Sequence, residues 1–168
     1  NVTSRVSGYI VDIRFEANQY VHKGDTLVVI DDKEFVIKVR QAEADLAVAE
    51  GNLRSLEQSV VTAIANQAAS KDNLEGDRAS LDKAEKDYQR FKNMIADSAV
   101  TVNQYDQVVS KLQSTKAYLN AGEKQLQASS STTKQSYTNL EASRATVERK
   151  KADLDNAAKW YSELFAFT

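Results

Sequence analysis

The chain has 168 residues, with no proline, no cysteine, five glycines, and a net charge of −2 from 22 basic and 24 acidic side chains. That balance argues against a nucleic-acid footprint, and the lack of cysteine excludes disulfides, thiolate metal sites and a cysteine nucleophile. Without proline nothing blocks very long helices, and no apolar run is longer than Leu27–Ile30, far short of the roughly 18 residues that cross a bilayer.

Residues 6–31 read as strands. Val6, Ile10, Ile13 and Phe15 alternate in part, and Gly8 is placed for a turn or bulge. In "HKGD" (His22–Asp25), Gly24 supplies the positive φ that a tight turn often needs and Asp25 closes it. "TLVVI" (Thr26–Ile30) is a second, β-branched strand.

The period then changes from two to the heptad spacing. Steps of seven from Val39 give Val39, Leu46, Leu53, Val60, Gln67, Leu74, Leu81, Tyr88 and Ile95. A companion series runs from Ala42 to Phe91, and 14 of these 17 seam positions are apolar, well beyond the three or four heptads that mark a coiled coil. A second ladder runs from Tyr105 through Leu112, Leu119, Leu126, Thr133, Leu140, Val147 and Leu154 to Tyr161, with small or polar companions such as Thr115, Gly122 and Ser129. Between the ladders, Thr101 and Gln104 have the spacing of a capping box.

A short turn there makes the helices antiparallel neighbours. Folding about residue 100 faces Tyr88 toward Leu112, Ile95 toward Tyr105, and Gln67 toward Thr133 as a polar layer. The expected fold is mostly α: a long antiparallel two-helix coiled-coil hairpin, about 90 Å at 1.5 Å per residue, with a small β segment at its base. The expected boundaries are 1–34 for the β segment, 35–163 for the hairpin and 164–168 for a tail. Within the hairpin, helix 1 covers about 35–96, the tip 97–101 and helix 2 about 102–163.

This order, with "VSGYIVDI" followed by "NQYVHKGDTLVVID" and then a heptad hairpin, resembles the periplasmic adaptor (membrane fusion) proteins of bacterial efflux and secretion systems. The two strings are similar to that family's half biotinyl/lipoyl-like motif. The hairpin length and "NQYVHKGD" look most like the EmrA-like branch, which works with major-facilitator drug pumps. Adaptors that dock on a TolC-type duct carry an Arg at the hairpin end, a Leu four residues on and a Ser seven further. Arg90, Met94 and Thr101 stand at that spacing, with Met for Leu and Thr for Ser.

The resemblance implies a non-enzymatic periplasmic subunit that links an inner-membrane transporter to an outer-membrane TolC-type duct through Arg90, Met94 and Thr101. It also implies a homo-oligomer and an inner-membrane anchor preceding Asn1. The family continues after its second helix into a returning half-motif and a β-barrel, where this sequence reads "WYSELFAFT" (Trp160–Thr168).

Blander readings stand beside these. Arg90 is by default a surface helix residue, and Thr101 has a complete role as a cap. Lys33 in "DDKEF" invites a lipoyl or biotin carrier, but the sequence around it enters a helix rather than the hairpin turn a carrier lysine needs, so no cofactor is expected. His22, the only histidine, has no partner at metal-ligand spacing. No phosphate loop, nucleophile system or tuned carboxylate pair is present. A plain coiled-coil spacer is the alternative, and it has no reason to keep the tip triplet.

Overall fold

The computed structural model describes residues 8–16, 18–22, 24–97 and 99–165, the last three as backbone. Val6 of the expected strand, Lys23 and Ser98 of the two turns, and residues 166–168 of the tail lie outside the described residues. The elements are β1 (Ile10–Ile13), β2 (Val28–Ile30), α1 (Lys33–Ala96) and α2 (Val102–Phe165). The protein is thus mostly α, two long helices with a small two-stranded sheet. Among the described residues no helix is long and apolar enough to cross a membrane.

The chain forms two compact units, one from Asn1–Ser55 with Glu141–Thr168, the other Leu56–Leu140. In the first, β1 pairs antiparallel with β2, Ile10 opposite Ile30 and Ile13 opposite Val28, and the register shifts between Ile10 and Asp12. Asp31 N–H donates to the Tyr9 carbonyl at 2.8 Å and Arg14 N–H to that of Leu27 at 2.9 Å, extending the ladder at both ends. Gly8 is needed for close approach: a Cβ there would overlap Cγ2 of Ile30. Gly24 has φ 105°, a region that disfavours other residues. Its turn is closed by Asp25, whose carboxylate accepts the His22 N–H at 2.7 Å and whose own N–H donates to the His22 carbonyl at 3.2 Å.

α1 begins at Lys33, two residues before the period change suggests, because the Asp31 carboxylate accepts the Lys33 N–H at 3.0 Å. In this unit α1 and α2 lie side by side, with Ala49 and Val147 buried and Lys150 Nζ 2.6 Å from Asp45. On the outer face Lys151 Nζ lies 3.2 Å from Glu148, one turn back.

The second unit is a helical hairpin. Its core holds Val60, Ala63, Leu74, Ala84 and Leu140 with Thr115 and Thr133, and no described side chain in the protein is completely buried. That is the thin core expected of two helices with a small-residue groove on one of them. The antiparallel pairing is fixed by cross-helix contacts. Lys116 lies 3.5 Å from Glu85, and a Cβ on Gly122 would come within 3.2 Å of Leu74.

The Thr133 hydroxyl donates to the Ala63 carbonyl at 3.2 Å and to the Ser129 carbonyl of its own helix at 3.0 Å. The Ala63 carbonyl points along α1 toward the Gln67 N–H, so the bond lies close to the expected Gln67 layer. Tyr105 also reaches Tyr88, two turns from the expected Ile95, its hydroxyl donating to that of Tyr88 at 3.4 Å. A buried threonine must satisfy its hydroxyl, and a backbone carbonyl on the facing turn does so without a second buried side chain.

The hairpin tip as a candidate docking site

The turn between α1 and α2 is built from local hydrogen bonds. Asp97 N–H donates to the Asn93 carbonyl at 3.3 Å, and Ala99 N–H reaches back to that of Met94 at 2.9 Å, closing α1. The capping box then opens α2. Thr101 N–H donates to Oε1 of Gln104 at 3.0 Å, and Gln104 N–H donates to Oγ1 of Thr101 at 3.3 Å. The Thr101 hydroxyl also donates to the same Gln104 oxygen at 3.1 Å. These bonds satisfy the first exposed donors of α2 on both sides of the cap.

Behind the turn, Tyr88 and Tyr105 tie the helices together, with ring centroids 6.0 Å apart and planes inclined at 33°. The hydrogen bond to Tyr88, then partial desolvation, hold the Tyr105 phenol above its ordinary range, because ionisation would forfeit the donated proton. The sequence lists both tyrosines as seam residues but does not show that they meet.

Arg90 and Met94 stand one turn apart on α1 and so share a face. The Arg90 side chain is 65% exposed and its Nη2 lies 2.6 Å from Asp87 Oδ1, while its guanidinium carbon sits 5.9 Å from the centre of the Phe91 ring. Asp87 is the residue that sequence reasoning missed. Its position three before Arg90 is the available signal. Held between Asp87 and Phe91, Arg90 presents a pre-oriented fork, with most of its five N–H donors left for a partner. Met94 is half-buried and offers a deformable apolar surface beside it. Thr101 is exposed, but its hydroxyl is already committed to the cap. The tip can therefore make a charge-assisted, reversible contact with carboxylates or carbonyls.

Lys33 is the first residue of α1, beside Asp31 at 3.6 Å, and not on a hairpin turn. His22 packs edge-on to Tyr20 with ring centroids 5.3 Å apart and lies 3.8 Å from Asp25. Among the described residues no group of three or more His, Asp or Glu could hold a metal ion.

Comparison with known proteins gives a consistent result. The family described as RND MFP, barrel-sandwich hybrid domain, matches residues 1–110. The chain is similar to the multidrug resistance protein MdtN of Escherichia coli O6:H1, 28% identical over 148 residues, covering 88% of this chain and 43% of that protein. It is also similar to the colistin resistance protein EmrA of Acinetobacter baumannii, 25% identical over 126 residues, covering 71% of this chain and 34% of that one. The chain thus spans less than half the length of either relative. The solved structure of the periplasmic adaptor protein EmrA matches 96% of this chain and 56% of its own with a TM-score of 0.51 at 18% identity, a likeness of fold.

Proposed function

The chain belongs to the RND MFP, barrel-sandwich hybrid family, and from that membership we propose that it is the hairpin-bearing part of a periplasmic adaptor in a tripartite efflux or secretion system. In this reading the chain lies in the periplasm, held to the inner membrane by a segment preceding Asn1. It joins an inner-membrane transporter of the major-facilitator type to an outer-membrane TolC-type duct. The transporter supplies energy, and the adaptor supplies reach and a seal. Several copies side by side cover one another's thin cores. No step of chemistry is assigned to the chain.

The observation that carries the docking role is the state of Arg90. It is exposed at the end of a helical hairpin and oriented by Asp87 and Phe91 without being enclosed. A spacer gains little from that arrangement, since an exposed ion pair stabilises by only about 0–1 kcal/mol. Arg90 and Met94 are the contact residues. Thr101 contributes through the shape of the turn as well as through any hydroxyl contact.

The test is export in cells by the full-length protein. Arg90→Ala is expected to cut drug export severely while leaving the protein's level and helicity unchanged. Full export by Arg90→Ala and by Met94→Ala would return the hairpin to the role of a spacer.

A further inference from the structure

Glu57, Ile64 and Lys71 recur at heptad spacing and so share one face of α1 in the hairpin unit. Val61 and Ala68 flank them on the adjoining stripe. Of the part of α1 in that unit, Val61 (58% exposed) and Ile64 (43%) are the large apolar side chains left uncovered among the described residues. Ile64, Ala68 and Lys71 also line one side of an open groove on that face. Neither Glu57 nor Lys71 has an ion-pair partner among the described residues, although Lys86 further along α1 and Lys116 of α2 do.

We propose that this face pairs two copies of the chain, antiparallel, about a two-fold axis at Ile64. The charges decide the direction. A parallel pairing through this stripe would set Lys71 against Lys71 and Glu57 against Glu57. The antiparallel one sets Glu57 of each copy against Lys71 of the other, twice, by symmetry. It also stacks Ile64 on its own copy and lays Val61 against Ala68. The apolar contact supplies the attraction, while the ion pairs, individually weak, set the register.

Two α1 helices paired this way point their turns in opposite directions, so both tips cannot engage one docking partner. The pair is a resting form that competes with assembly. The pairing itself rests on the α1 face alone; its competition with assembly rests on the adaptor reading.

The purified chain tests it, since it has no native cysteine. Val61→Cys and Ala68→Cys proteins, mixed and oxidised, are expected to give the mixed disulfide as the main cross-linked species. Sedimentation of the cysteine-free chain is expected to show a dimer that weakens with salt and is lost in Lys71→Glu, with helicity unchanged. The dimer is expected to return in the double variant Glu57→Lys/Lys71→Glu. Self-linked Val61→Cys or Ala68→Cys species as the main product would overturn the antiparallel arrangement. A monomer at all concentrations, or a dimer indifferent to Lys71→Glu, would overturn the pairing itself.

Discussion

At the scale of single residues, the turn between the helices depends on a few polar atoms whose loss is measurable. Replacing Thr101 by Ala removes the side-chain acceptor of the α2 cap and is expected to cost about 0.5–2 kcal/mol in denaturant unfolding. Thr101→Ser is expected to restore most of it. Tyr105 makes a pH prediction. Its phenol is held protonated above the usual range by the bond to Tyr88. The folded chain therefore binds more protons than the unfolded one once the pH exceeds about 10, the ordinary tyrosine value. The stabilisation is present below that pH and is lost as the pH climbs through the raised value. Thermal melts should fall in temperature above pH 10, and less steeply for Tyr105→Phe. Equal slopes for the two proteins would show that the Tyr88–Tyr105 bond does not stabilise the fold. Of these features the cap was legible in the sequence, because Thr101 and Gln104 interact at fixed local spacing. The Tyr88–Tyr105 meeting was not, because it depends on the axial stagger of two helices, which heptad counting leaves free by a turn.

At the scale of elements, two helical glycines on α1 and α2 make contrasting cases. Nothing lies within 4 Å of a Cβ added to Gly76, so Gly76→Ala is expected to stabilise by about 1 kcal/mol through helix propensity alone. On Gly122 the added Cβ meets Asp77 Oδ2 at 2.8 Å and the buried Leu74 at 3.2 Å. Gly122→Ala should therefore fall clearly short of that gain in the same unfolding assay, and equal gains would show that the helices are not closely packed there. The thin groove on α2 was readable from its small companions. The need for Gly at position 8 was only half readable. The sequence marks a turn or bulge there, whereas the structure shows the chain just ahead of β1 passing so close to Ile30 that no Cβ fits. Heptad counting starts α1 late because the bond that opens it, from the Lys33 N–H to the Asp31 carboxylate, lies ahead of the apolar repeat.

At the scale of the whole molecule, the two ladders and the half-motif ahead of them were enough to identify the family, because long-range order here is a repetition of local order. The partner of each exposed surface was less legible, since nothing in the periodicity says what covers it. β1 is exposed at all four positions, and Tyr9 and Tyr20 are 80% and 84% exposed. A lone two-stranded ribbon is marginal in water. Its amides are expected to exchange with solvent far faster than those of the α1 and α2 seams. Comparable protection in β1 and the seams would mean that the ribbon is held by more than its own pairing. The central claim concerns the other end of α1, and a single cysteine tests it most directly. Placed at the exposed Ala99 in the full-length protein, it should cross-link to an outer-membrane duct in cells, and the adduct should weaken when Arg90 is replaced by Ala. Efficient export with no such adduct would contradict the docking role of the tip.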